Sequence, residues 1–267
     1  VFKGESGATP VVGFFIHPYD FDKMRLTNYS TITPDTPMAE LVLSNPYGIL
    51  MLEHFEVDLM LQEKTVAQVC AESGISLELF LSVAQLFNGG HNFPNLKFQL
   101  TDVHHIISYL KHCHYYYTEE KYPQIKAYIQ LLKKFNPAPE IIMLERFFQE
   151  YFNEVKEHLE YENNSVFPYV TALLDKLDGR SPQISFSEYE VSDYKDHHDN
   201  IEEKLSDLKN LLIKYLPAQN DRQVRRKLLF SLSELEFDLH IHSEIEDLIL
   251  VPLVEQIENE LKRKHEK

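Results

Sequence analysis

The chain has 267 residues, 43% hydrophobic and 25% charged, with a formal net charge of −16. That length supports a real core, in one large domain or in a small one beside a larger. The charge repels phosphate backbones and speaks against direct nucleic-acid binding by this chain. The two cysteines, Cys70 and Cys113, stand far apart without a Cys-x-x-Cys pair, which excludes a disulfide scaffold and predicts a cytoplasmic setting. No apolar run approaches the ~20 residues that span a bilayer, so no membrane association is expected. Val11–Ile16 lacks the form of a signal peptide.

Residues 1–35 carry Gly, Pro, Thr and Ser without sustained periodicity, and read as an irregular segment. Residues 36–90 read as a small helical domain. Met38, Leu41, Val42, Ile49, Leu50, Phe55 and Leu59 predict short helices broken at Asn45-Pro46. Thr65 is a predicted N-cap and Gly74 the matching stop. Ser76 caps a further helix over Leu77–Phe87, which Asn88-Gly89-Gly90 ends. Residues 91–99, with Pro94, read as a linker.

Four long helices are predicted across residues 100–264. The first runs from Thr101 to Phe135, with Pro123 kinking or dividing it. The second runs from Glu140 to Asp178. The third spans Ser187 to Leu216 and stops at Pro217. The fourth starts near Asp221 and enters the basic end Leu261-Lys262-Arg263-Lys264. Short connections make consecutive helices antiparallel neighbours. The predicted fold is all-α: an up-down-up-down four-helix bundle behind a small helical module.

One 11-residue phrase occurs twice in this region. His158-Leu159-Glu160-Tyr161-Glu162 runs on to Pro168, and His242-Ser243-Glu244-Ile245-Glu246 runs on to Pro252, 84 residues later. Repetition at a fixed offset points to duplicated architecture. The same offset relates His114 to His198 and Glu119 to Glu203. On a helix, His and Glu four apart share a face. A single His-x-x-x-Glu match among 13 histidines carries little weight and fits a solvated helix face better than a metal site. Two copies with a shared downstream proline, and two more histidines at the same offset, point instead to a metal site.

The predicted ligands are His114, His158, Glu162, His198, His242 and Glu246. His114 is preferred to His112, and His198 to His197, by the offset. Six donors exceed what one structural zinc ion uses. Imidazole-rich, thiolate-free sets suit iron, zinc, copper or nickel. Two carboxylates leave part of the charge of two divalent ions unbalanced, which favours a hydroxide or oxide bridge. Ferritin-type sites use Glu-x-x-His and more carboxylate, a different pattern. Glu119 and Glu203 are read as surface ion-pair residues or partners of ligand imidazoles. His91, His104, His105 and His240 are assigned to packing or solvent. Cys113, about 100° around the helix from His114, is assigned to packing as a buried cysteine. No catalytic side chain is assigned.

At these six residues the chain resembles the hemerythrin-like family of non-haem di-iron proteins. It is most similar to the RIC (repair of iron centres) branch, with single histidines on the first and third helices and His-x-x-x-Glu on the second and fourth. Met38–Pro46 and Lys64–Cys70 resemble the small domain that precedes the bundle there. That domain carries adjacent cysteines after a Gly-Ile-Asp-Phe-like run. Here the stretch is Val57-Asp58-Leu59-Met60-Leu61-Gln62-Glu63, one residue shorter and without cysteine.

The resemblance implies two iron ions, oxo- or hydroxo-bridged, and a role in repairing iron–sulfur clusters under nitrosative or oxidative stress. It implies oxygen or nitric oxide as ligand, iron–sulfur proteins as partners, and allows a homodimer. The alternative is an oxygen- or nitric-oxide-sensing module of the kind found fused to a DNA-binding domain. A third reading keeps the bundle without metal chemistry.

Overall fold

The computed structural model describes residues 32–90, 98–100, 102–180, 201–217 and 219–265, with the backbone alone for 201–203 and 265. Every regular element among them is helical, and one isolated bridge joins Pro37 to Thr65. The chain is all-α in the described residues.

The first helices are α1 (Met38–Ser44), α2 (Gly48–His54), α3 (Val66–Ser73) and α4 (Leu77–Phe87). Their ends follow from local chemistry. Thr65 Oγ1 accepts from the Gln68 N–H at 3.3 Å, and the Thr65 N–H donates to Gln68 Oε1 at 2.9 Å. This reciprocal box satisfies two backbone donors at the start of α3. Gly74 ends α3 at φ 68°, where a side chain is strained, and the Ile75 N–H then bonds the Cys70 carbonyl at 2.9 Å. Ser76 Oγ accepts from the Leu79 N–H at 3.4 Å at the start of α4.

The longer elements are α5 (Asp102–Tyr115), α6 (Tyr122–Phe135), α7 (Pro139–Tyr161), α8 (Phe167–Leu177), α9 (Ile201–Asn210), α10 (Arg222–Ile245) and α11 (Val251–His265). Four π-helical turns lie between or after them: π1 (Tyr116–Lys121), π2 (Glu162–Val166), π3 (Leu211–Tyr215) and π4 (Glu246–Leu250). Each ends two residues before a proline: Pro123, Pro168, Pro217 and Pro252. Proline brings no N–H, and its ring clashes with the carbonyl four residues back. Those carbonyls, of Glu119, Asn164, Ile213 and Leu248, all fall inside the π turns. At Pro123, Pro168 and Pro252 the chain relieves the clash by widening one turn instead of breaking the helix, whereas at Pro217 the helix ends after π3 with Leu216 extended. The kink or division expected at Pro123 takes this form, and the same widening precedes Pro168 and Pro252. The expected start of the third long helix, 187–200, lies outside the described residues, as do the 1–31 segment and 91–97 of the linker.

Packing joins α6 to α7 and α10, α7 to α9, α9 to α10, and α8 to α11. The buried stripe of α7 is Ile141, Leu144, Phe148, Tyr151, Val155 and Leu159, at spacings of three and four. The next position on that stripe is Glu162, which is fully buried. On α10 and π4 the buried series Leu228, Leu232, Leu235, Leu239 is likewise continued by His242 and Glu246. Charged groups thus occupy places that the helix period reserves for core residues.

Ile32–Lys267 is one compact unit. The short helices pack on the long ones through α2 against α5 and α4 against α10. Tyr47 stacks on Phe237 with centroids 4.2 Å apart, and Phe87 meets the same ring edge-on at 5.7 Å. No described helix is long and apolar enough to cross a membrane.

Candidate metal centre

The twin phrases adopt the same local structure. In each, histidine lies in the last turn of an α-helix and glutamate opens the π turn. The Glu162 N–H bonds the His158 and Leu159 carbonyls, and the Glu246 N–H bonds those of His242 and Ser243. The helical spacing places His158 Nε2 2.9 Å from Glu162 Oε1, and His242 Nε2 3.4 Å from Glu246 Oε1.

Helix α5 adds His114 from the other side. Its Nε2 lies 3.1 Å from Glu162 Oε2, and His242 Nε2 lies 4.0 Å from the same oxygen. One ligand atom each from His114, Glu162 and His242 falls within a 4.8 Å circle, and all three residues are buried. The His114 and His242 rings are 5.0 Å apart; Phe167 stacks on His114 at 5.5 Å, and Tyr117 meets His242 edge-on at 5.8 Å. Five of the six predicted ligands are thereby gathered at one level. His198 lies outside the described residues.

Burial and charge act against each other here. Burial alone pushes the Glu162 carboxyl up, but His114 and His158, by hydrogen bond and by charge, outweigh it and hold the group well below the usual range. Burial pulls His114 down. For His242 burial also pulls down, yet the charges of Glu246, Glu162 and Asp238 prevail and hold it up at about 9. Both rings turn Nε2 toward these carboxylates, and Nδ1 of each has no hydrogen-bond partner. Buried polar atoms are ordinarily satisfied. Two imidazole Nε2 atoms facing buried carboxylates, with both Nδ1 atoms unpartnered, fit a site whose bonds are completed by metal. The donor set, nitrogen and oxygen without sulfur, suits a first-row transition ion.

The other assigned histidines among the described residues fall away from this centre, and His91 lies outside those residues. His104 and His105 are exposed. His240 is half exposed, with Nε2 3.5 Å from Glu244 Oε1. His112 turns to the short helices, its Nδ1 3.1 Å from the His54 carbonyl. Glu119 is exposed on π1. Cys113 is a buried free thiol, and it stands beside two residues that no sequence pattern singled out, His54 and Asp238. Asp238 precedes His242 by one helical turn, so Asp238, His242 and Glu246 form a four-residue ladder that was there to be read.

The fold and the site define an all-helical chain with a buried histidine–carboxylate centre built on a repeated His-x-x-x-Glu. No family model matches the chain. It is 21% identical over 223 residues to the iron-sulfur cluster repair protein ScdA of Staphylococcus haemolyticus, a distant homologue. The match covers 82% of this chain and 97% of that protein.

Proposed function

We propose that this chain is a non-haem di-iron protein that aids the repair of damaged iron–sulfur clusters. The observation that carries the reading is the buried His114–Glu162–His242 cluster, flanked by His158 and Glu246. The distant likeness to a cluster repair protein supports the assignment. In this reading α5–α6, α7–α8, the third helix and α10–α11 form an up-down-up-down four-helix bundle. Residues 36–90 form the small domain, and His198 supplies the sixth ligand.

Iron at this centre would supply one-electron chemistry and an open coordination position for a diatomic ligand. The chain's own residues do the rest. Glu162 and Glu246 offer carboxylates to balance the ions, and the imidazoles hold them without sulfur. Phe167 and Tyr117 wall the centre and exclude bulk water. Partners in this reading are iron–sulfur proteins.

The test is transfer. Iron-loaded protein, incubated anaerobically with a nitric-oxide-damaged iron–sulfur enzyme, restores that enzyme's activity, and the Glu162→Ala variant does not. Equal recovery with both proteins, or with free iron alone, defeats the proposal.

A specific observation favours a second reading, sensing without repair. Cys70 and Cys113 are both buried, and burial pushes their thiols up, Cys70 to about 12. Neither presents a thiolate nucleophile at neutral pH. A ligand-induced change in association without cluster recovery would select this reading.

A further inference from the structure

Beneath the short helices lies a second cluster of ligating side chains. His54 is the last residue of α2, Cys113 lies in α5 and Asp238 in α10. One ligand atom from each falls within 4.8 Å of the others. Their exposures are 1%, 1% and 2%. His54 Nε2 lies 2.9 Å from Asp238 Oδ2. The cluster sits one residue along α5 and one turn along α10 from the candidate centre, but faces the short helices.

We propose that His54, Cys113 and Asp238 form a second, mononuclear site for a divalent ion of the zinc type. The inference goes beyond the di-iron reading and does not require it.

Three observations support it. First, one thiolate, one imidazole and one carboxylate are each ligands that zinc accepts, and three protein ligands leave a fourth position. Second, the Tyr109 hydroxyl makes no hydrogen bond, although the residue is only 3% exposed. Its ring meets His54 edge-on at 5.3 Å. Tyr117, whose hydroxyl is also buried without a partner, stands beside Cys113 and Asp238, so two phenols at the rim of the cluster are protein groups available to that fourth position. Third, the charges close. The thiol proton leaves on binding, and the ion's two positive charges meet one thiolate, one carboxylate and a neutral imidazole. A neutral cluster is what a dry site tolerates.

Such a site would clip the short helices to the long ones. His54 is its only ligand from the short helices, so the ion joins the two sets directly.

The experiment is an anaerobic titration of the metal-free full chain with cobalt(II), following the thiolate-to-cobalt charge-transfer band. The His/Glu centre contains no sulfur and gives no such band, so the two proposals fail separately. The expected result is a band whose final intensity corresponds to one cobalt–thiolate site for each chain, reached at between one and three added cobalt ions as the sulfur-free centre also fills. It persists in Cys70→Ser and vanishes in Cys113→Ser. In His54→Gln and Asp238→Asn it needs at least about tenfold more cobalt. Absence of the band in the wild type, or its survival in Cys113→Ser, overturns the proposal. Should a variant lose its helical circular dichroism, X-ray absorption of the zinc-loaded wild type decides. A sulfur scatterer at about 2.3 Å supports the site, and a shell of nitrogen and oxygen alone overturns it.

Discussion

At the scale of single residues, the most telling feature is a carboxylate where a leucine belongs. Glu162 continues the buried stripe of α7 and is fully enclosed. An enclosed charge without compensation costs several kcal/mol, so its place is explained by what it binds. Replacing Glu162 or His242 with Ala is expected to weaken iron binding by at least about tenfold, with helicity retained. Elemental analysis beside circular dichroism checks this; unchanged iron content would remove these residues from the centre. A second residue network has a purely structural role. Asp221 Oδ2 accepts from Arg225 at 2.7 Å and from Asn136 at 2.9 Å, while Arg225 also donates to the Leu212 and Leu216 carbonyls at the end of π3. Burial raises the Asp221 pKa, but these donors outweigh it and lower it overall. A depressed carboxyl stabilises the fold above its unfolded pKa and stops doing so as pH falls through its folded value. Asp221→Asn should therefore cost roughly 2 kcal/mol near neutral pH, and the penalty should shrink below about pH 4. Urea midpoints from pH 7 to 3 measure it; a penalty that grows with acid would reverse the assignment.

Also legible at the residue scale was the set that the fold gathers. The 84-residue offset singled out His114, His158, Glu162, His242 and Glu246 because duplication leaves a trace along the chain. His54 left none. It comes from an unrepeated short helix and meets Asp238 only through tertiary packing, 184 residues away in sequence.

At the scale of elements, caps and prolines announced most helix ends, because those signals are local. Thr65 with Gln68, Gly74 and Ser76 each act where the chain's pattern places them. The π turns were not legible as such. Proline signals a conflict with the preceding carbonyl, and the conflict can be met by a kink, a break or a widened turn. Which one prevails depends on the packing around it. The widened turn makes a prediction of its own. Proline in a helix interior costs about 3 kcal/mol relative to alanine, but π2 and π4 have already moved the clashing carbonyls aside. Pro168→Ala and Pro252→Ala should each change stability by less than about 1 kcal/mol. A gain near the full propensity difference, measured by denaturant unfolding, would show that the turns do not relieve the clash.

At the scale of the whole molecule, the short helices are seated on the long ones by aromatic and polar contacts. Phe237 lies under both Tyr47 and Phe87, and His54 reaches Asp238. Phe237→Ala should lower stability by roughly 2 kcal/mol, less than a fully buried phenylalanine because the ring is only partly enclosed. A thermal melt with the midpoint unmoved would mean that this seat contributes nothing.

The account rests on two iron ions among five gathered side chains and His198. Metal analysis with X-ray absorption at the iron edge, on protein purified anaerobically, tests that most directly. The account predicts two irons for each chain, in a shell of nitrogen and oxygen with an iron–iron scatterer. Metal-free or zinc-only protein, or a single iron with sulfur neighbours, would contradict it.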